Sequence, residues 1–361
     1  MKKSISNNSL VQDIKILIEE ARKSVVRNIN TTMLLTHFEI GRMIVEEEQQ
    51  GKEKAEYGKE LIKHLSEELT KEFGKGYSQR NIFYFRQFFL TYEQRILQSL
   101  IAKSTKESKT QSLIAKLELT KTNSEEAANA LRIFELSWTH HLLLMKVEKE
   151  EERNFYEIEA ISQNWSVREL ERQYHSSLYE RLALSRDKEG VKELAKKGQI
   201  VEKTLDIIKD PFVLEFLDLK EDNRYSELDL ETAIINKLEH FMLELGKGFL
   251  FAGRQKRITL ERDHFFVDLV FYNRLLRCFV LIDLKIGKLT HQDIGQMQMY
   301  VNYYDRTQKT KDENPTIGIV LCKENKKAVV EFTLPENNTQ IFASEYKDLL
   351  PSKEDFKKQL E

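Results

Sequence analysis

Cysteine, proline and long apolar runs are what this sequence has least of. It holds 2 cysteines and 4 prolines in 361 residues. Both cysteines, Cys278 and Cys322, sit inside apolar runs. That pattern reads as small core residues in a reducing compartment and excludes a disulfide framework. No Cys/His cluster has the spacing of a zinc site. So little proline, in a chain rich in Leu, Glu and Lys, predicts much helix. Apolar stretches such as Phe279–Ile282 fall far short of a membrane span. The N-terminus MKKSISNNSLVQD lacks the apolar region of a secretory signal. The expectation is a soluble, cytoplasmic protein with no membrane partner. Nor does one sign of charge dominate. Lys and Arg number 57 against 59 Asp and Glu, a net charge of −2. A uniformly basic nucleic-acid coat is excluded, but a local basic groove is not.

What is present divides the chain. Residues 1–185 predict a helical N-terminal domain. Leu10, Ile14, Leu17, Ile18, Ala21, Val25 and Ile29 recur at helical spacing, and Met33–Ile44 continue as a second helix. Leu61, Leu65 and Leu69 form a third stripe that stops at Phe73-Gly74, with Ser78 as N-cap of the next helix. Residues 96–128 read as a low-complexity insertion in which QSLIAK occurs at Gln98–Lys103 and again at Gln111–Lys116. A Ser166–Glu169 capping box opens a helix expected to run to about Leu184. Residues 186–224 read as a linker with one short helix after Asp210-Pro211. From 225 to 361 the pattern changes. A helical stripe over Leu230–Leu245 precedes strands at Phe249–Leu260, Phe265–Tyr272 and Cys278–Ile286. A helix at Gln292–Tyr304 and a strand at Thr316–Cys322 follow, then a short helix and a strand near Ile341–Ser344. This αβββαβ order predicts an α/β domain with helices on both sheet faces.

Chemistry concentrates between Phe265 and Lys288. Asp268 stands alone in one apolar strand, Asp283 and Lys285 in the next. Strands apolar on both sides are central strands, and a buried charge there needs a partner or a cation. Side chains alternate, so Asp283 and Lys285 share a face. A hairpin with loop Arg274–Arg277 sets Asp268 directly opposite Asp283. Two carboxylates at that range repel unless a divalent cation lies between them, and one lysine neutralises only one of them. Oxygen ligands suit Mg²⁺ or Mn²⁺, and Lys285 beside them could hold a water or a phosphate, the equipment of metal-assisted phosphodiester hydrolysis. Glu231 lies one step off the apolar stripe of the preceding helix, with Glu239, Glu244 and Glu227 as alternative acids. Gln292, Gln296 and Tyr300 share one helical face. Gln255 is flanked by Arg254, Lys256 and Arg257, which could meet a phosphate backbone or form a solvated edge. In the N-terminal half, Gly74–Arg95 interleaves Lys75, Arg80, Arg86 and Arg95 with aromatics, in a loop-to-helix element resembling a helix-turn-helix. The aromatics read as core. Gln79, Arg80, Asn81 and Arg86 are the nucleic-acid signal. His140-His141 has no ligand spacing and reads as structural.

These residues carry a resemblance. Asp268 followed by Asp283-x-Lys285, with a helical acid before and Gln296-x-x-x-Tyr300 after, resembles a PD-(D/E)XK nuclease of the RecB-like branch. More closely, the chain is similar to the YhcG-like family of bacterial PD-(D/E)XK nucleases. The segments that carry this are Leu245–Gln255, Val267–Asn273, Val280–Lys288 and Gly295–Tyr300. In the N-terminal half they are Tyr57-Gly-Lys, Leu65-Ser, Gly74–Asn81 and Trp165–Arg172. The resemblance implies a restriction-endonuclease-like core and selects Glu231 as the first-helix acid. The middle acid is Asp283 where Glu is commoner, and Val267 stands where Pro would precede Asp268.

The function expected is a Mg²⁺- or Mn²⁺-dependent DNA endonuclease linked to restriction, defence or repair. Asp268 and Asp283 bind metal with the Leu284 carbonyl as third ligand, and Lys285 orients or activates water. Glu231 assists, and Gln296, Tyr300 and Gln255 position substrate. Arg80, Arg86, Arg254 and Arg257 contact nucleic acid, and a homodimer is a further expectation. The alternative is a non-catalytic DNA-binding module of a defence or mobile-element system. A third is a junction resolvase, which would need a dimer.

Overall fold

The computed structural model describes residues 7–50, 55–101, 132–184, 188–209, 211–219, 225–325 and 327–349. The second QSLIAK copy, most of the insertion around it, Asp210 and the loop 220–224 lie outside the described residues. The chain divides into two compact units, Met1–Arg153 with Ala160–Val167, and Asn154–Glu159 with Arg168–Glu361.

The first unit is helical. α1 (Asn7–Gln50) is one 44-residue helix rather than the two that the sequence suggests. No Gly or Pro separates the two predicted stripes, and Thr32 between them and Thr36 just beyond bond back into the helix. Thr32 donates to the Asn28 carbonyl and Thr36 to that of Thr32. Leu34, Leu35, Phe38 and Val45 bury against Phe88, Phe89 and Tyr92 of α3 (Gln79–Ile101). Gly41 makes that crossing possible. A Cβ there would run into the Phe85 carbonyl, so the two backbones meet at the glycine. Upstream, Ile14, Leu17, Ile18, Val25 and Ile29 are exposed, so the predicted stripe is not covered by the described residues. α2 (Ala55–Phe73) packs Leu61, Leu65 and Leu69 beside Ile44, Ile82 and Phe85. It ends as predicted at Gly74, whose N–H donates to the Thr70 carbonyl. A 3-10 turn at Lys75–Tyr77 leads to α3, where the Asn81 N–H meets the Ser78 hydroxyl. α4 (Trp138–Leu144) places His140 between Ser137 and the Trp165 carbonyl and His141 against Tyr92, both structural. α5 (Glu150–Ser162) supplies residues to both units.

The second unit is a six-stranded mixed sheet in which the edge strand β1 (Phe212–Val213) is followed by β6, β5, β4, β3 and β2. β2 (Phe249–Leu260), β3 (Asp263–Asn273) and β4 (Cys278–Lys288) form an antiparallel meander. β5 (Ile317–Glu324) and β6 (Ile341–Lys347) continue from β4 in parallel. One face packs α9 (Glu227–Asn236) and α10 (Leu238–Leu245) through Leu230, Ile234, Phe241 and Leu245. The other packs α11 (His291–Thr307) through Ile294, Met297, Tyr300 and Val301, with Val329 and Val330 of α12 (Lys327–Thr333). Leu281, Leu284, Ile319, Val320 and Leu321 have no exposure, and each such burial stabilises by about 1.5–3 kcal/mol. Gly318 brings α11 onto the sheet: a Cβ there would lie 2.5 Å from the Met297 sulfur. Both cysteines are buried and free.

Three predicted helices differ. The capping-box helix is α6 (Val167–His175) and α7 (Leu178–Leu184), broken where Ser177 takes φ 54°. Arg181 donates to the Ser176 carbonyl at the break, at 2.8 Å. The stripe over Leu230–Leu245 is likewise broken at Lys237. The short helix expected after Pro211 is strand β1 (Phe212–Val213) followed by a 3-10 turn at Glu215–Leu217. Its backbone is claimed from outside. The Val213 N–H donates to Glu244, its carbonyl accepts from Arg172, and the Leu214 N–H donates to the Lys347 carbonyl. The segment read as a linker therefore holds α8 (Lys188–Lys197) and an edge strand of the sheet.

Candidate active site

The site lies where β3 and β4 part. Their ladder pairs Leu269 with Ile282 and ends there. The next step along the predicted register is Asp268 and Asp283. Asp268 replaces the lost backbone partner itself, accepting from the Leu284 N–H on Oδ2 at 2.8 Å. That bond fixes its rotamer and aims the carboxylate at the neighbouring strand. Asp283 is 2 % exposed. Burial first, and the Asp268 charge second, push its pKa up to about 7, against the pull of Lys285. Lys285 Nζ lies 2.8 Å from Asp283 Oδ2 and 3.6 Å from Glu227 Oε2. Burial lowers the lysine's pKa, but Asp283, Glu227 and Asp268 together outweigh it, so it stays an ammonium.

Glu231 enters from α9, whose start is fixed by the Ser226–Asp229 capping box. It is 2 % exposed, and its Oε1 has no hydrogen-bond partner. Its pKa is raised, by burial first and by the Asp268 charge as well. Gln255 joins the acids. Its Nε2 donates to Glu231 Oε2 at 2.6 Å and to Asp268 Oδ1 at 3.0 Å. The backbone is shaped for this, with φ 47° at Gln255 and a register shift between Phe251 and Gly253. Of the other acids considered on the sequence, Glu227 reaches Lys285, Glu239 is exposed, and Glu244 belongs to a separate cluster described below.

α11 closes the site from the opposite face. Gln296 Nε2 donates to the Tyr300 hydroxyl, which donates to the Phe266 carbonyl at 2.9 Å. Tyr300 is fully buried, so it reaches β3 two residues before Asp268 and not open solvent. Gln292 is exposed. On β2, Arg254 is exposed with Nε 3.9 Å from Glu231 Oε1, and Arg257 is exposed. In the helical unit, Arg86 pairs with Glu48 at 2.7 Å, and Arg80 donates to the Tyr84 hydroxyl at 3.2 Å. Of the aromatics around them, Phe85, Phe88, Phe89 and Tyr92 are core, as expected, whereas Phe83 is exposed.

The donor set fits a hard divalent cation. It is all oxygen, it carries more negative charge than Lys285 cancels, and the buried Glu231 Oε1 has no hydrogen-bond partner. Among the described residues no three His, Cys, Asp or Glu side chains converge as a metal cage. A pair of carboxylates completed by backbone oxygen and water is the arrangement Mg²⁺ favours. Sequence reasoning missed the Glu231–Gln255–Asp268 bridge and the Glu227–Lys285 pair. Both depend on how α9 lies over the sheet, which no local pattern encodes.

Nuclease domains of the PDDEXK type are built on this plan, and the comparisons assign the second half of the chain to that class. Residues 205–361 match the model of the YhcG PDDEXK nuclease domain, and residues 13–181 match that of the DUF1016 N-terminal domain. A protein of Escherichia coli (strain K12) named Putative nuclease YhcG is 40% identical over 336 residues, covering 93% of this chain and 88% of that one. The chain belongs to the YhcG family. Among solved structures, a repair endonuclease from Pyrococcus abyssi is similar at 18% identity with a TM-score of 0.24, covering 37% of this chain and 50% of that one. No helix among the described residues is long and apolar enough to cross a membrane.

Proposed function

We propose that this protein is a divalent-cation-dependent DNA endonuclease whose active site is Asp268, Asp283, Lys285 and Glu231. The observation that carries the reading is the meeting of Asp268 and Asp283 at the parted ends of β3 and β4, with only Lys285 to offset them. Asp268, Asp283 and the Leu284 carbonyl would hold the cation, Mg²⁺ or Mn²⁺. When bound, it supplies charge to the scissile phosphate and lowers the pKa of water.

The chain's own residues do the rest. The Leu284 N–H holds Asp268 in place. Lys285, kept as an ammonium, donates hydrogen bonds to the attacking water or to a phosphate oxygen. Glu231 adds a carboxylate from α9, and Gln255 holds it beside Asp268. Tyr300 acts as a positioning residue by anchoring α11 to β3, and Gln296 orients Tyr300. Arg254 and Arg257 on the edge strand suit a phosphate backbone, and Arg80 with Arg86 would hold nucleic acid on the helical unit.

The test is incubation of the full chain with plasmid, linear, branched and RNA substrates in Mg²⁺, Mn²⁺ or EDTA. Cleavage of DNA that needs the cation and is lost in Asp283→Asn supports the reading. Binding without cleavage by the wild type would leave the non-catalytic DNA-binding module.

A further inference from the structure

The helical unit contains a cleft of about 860 Å³ walled by α1, α2 and α3. Its character is set by a few side chains. Lys59 and Lys63, one helical turn apart on α2, are exposed, and among the described lining residues the acid is Glu48, while Glu60 and Glu67 of α2 do not line the cleft. Glu48 is already neutralised by Arg86 at 2.7 Å. Arg80 contributes a further cation, and its guanidinium lies over the Tyr84 ring at 5.5 Å from the centroid. The described wall is therefore positive by three charges once the Arg86–Glu48 pair is set aside. Phe83 from α3 and Tyr57 from α2 line the same cleft and are 47% and 38% exposed, unlike the core aromatics Phe85 and Phe88 on the inner side of α3.

We propose that this cleft binds an unpaired stretch of nucleic acid, its phosphates on Lys59, Lys63 and Arg80 and a base against Phe83 or Tyr57. Charge alone would suit any polyanion. Exposed aromatic rings within a concave basic wall suit a ligand that offers its own flat faces, which a duplex keeps stacked inside. A duplex reader instead presents a convex element to a groove. The volume falls within the range of ligand clefts and is enough for a short run of nucleotides. This inference rests on the reading of the chain as a nuclease acting on nucleic acid. It adds that the helical unit selects single-stranded regions such as ends, gaps or displaced strands.

Fluorescence anisotropy on the full chain in EDTA tests the cleft without engaging cleavage. The probes are a labelled oligothymidine of about 12 nucleotides and a mixed-sequence duplex of the same length. The single strand should bind about tenfold more tightly than the duplex or better. Phe83→Ala should weaken the single strand about fivefold or more, while Phe83→Tyr, which keeps a stacking face, retains binding. Lys59→Gln and Lys63→Gln should each weaken binding and reduce the slope of log K against log salt by about 0.7. Lys192→Gln, on α8 and outside both the cleft and the active site, should bind like the wild type. The proposal is overturned if duplex binds as tightly as single strand, or if neither binds. It is also overturned if Phe83→Ala binds normally, or if polyglutamate or a mononucleotide competes as well as the oligonucleotide. Cleavage with cation is scored separately. Loss of cleavage in Asp283→Asn with no single-strand preference would sink the cleft alone, and binding without any cleavage would sink the nuclease reading alone.

Discussion

Two clusters of buried charge in the sheet unit use the same residue types to opposite ends. In one, Glu244 has no exposure and is met on all sides. It takes Arg181 at 2.5 Å, Arg172 at 3.4 Å and the Val213 N–H at 3.0 Å, while Arg172 also grips Glu215 at 2.8 Å. Lys209 Nζ donates to the Glu244 carbonyl. Burial tends to raise the Glu244 pKa, but Arg181, Lys209 and Arg172 overcome it and set it at about 2. In the other, burial and Asp268 raise Asp283 to about 7. A carboxylate surrounded by cations is scaffold. A carboxylate facing other carboxylates, with Glu231 Oε1 left without a hydrogen bond, is a place made for something to bind.

The largest contrast should appear in turnover. Asp283→Asn and Lys285→Ala should each lower the cation-dependent cleavage rate by about a thousandfold or more while the circular dichroism spectrum is retained. A similar loss in a folded Glu244→Gln variant would erase the distinction between site and scaffold. Glu244→Gln should instead act on stability, costing about 3–5 kcal/mol in urea unfolding because Arg181 and Lys209 lose the anion that offsets them and Arg172 keeps only Glu215. Asp283→Asn should leave metal-free stability unchanged or raise it, since it removes a repulsion.

Acid should separate the clusters by sign. The folded pKa of Glu244 lies below its ordinary value of 4.5. Its contribution is present above that ordinary value and lost as pH falls toward about 2, a change of about 3 kcal/mol. Asp283 runs the other way. With its folded pKa above the ordinary 3.8, its contribution in EDTA is full below that value and disappears as pH rises through about 7. Stability curves of Glu244→Gln and Asp283→Asn across this range should lose opposite slopes. The smallest effect is expected at Gln255→Ala, about 1 kcal/mol of metal-free stability, because the bridge to Glu231 and Asp268 is partly solvated. Mn²⁺ should restore most of it in thermal melts. No restoration would mean that the amide supports the fold and not the acids.

The two clusters were unequally legible in the sequence. Asp268, Asp283 and Lys285 stand out because each interrupts an apolar strand, and the short loop Arg274–Arg277 sets the register that brings the aspartates together. The three strands of the meander show the alternation and apolar runs that local sequence can carry. Glu244 looks like any acid near a helix end. Its partner Arg181 is 63 residues away and meets it only after α7 and α10 are in place. The same holds for β1, whose two residues become a strand because β6, Arg172 and Glu244 claim their backbone groups. The breaks at Ser177 and Lys237 lack Gly or Pro to mark them, and at Ser177 the neighbouring Ser176 carbonyl is taken by Arg181. Gln255 was visible as a polar residue among cations, but its left-handed backbone and its span between two acids were not.

The pairing of Phe212 with Tyr346 and of Val213 with Lys347 has a practical consequence for how the chain can be cut. A fragment begun at residue 225, where the αβββαβ pattern starts, would keep every active-site residue and lose β1. It would expose the open edge of β6 and leave empty the sites on the sheet where Phe212, Val213 and Leu214 pack. An uncovered parallel edge recruits strands from other molecules. Such a fragment should aggregate although its site is whole, whereas one begun at Arg168, the start of the long segment of the compact unit, keeps both the edge strand and the arginines that hold it.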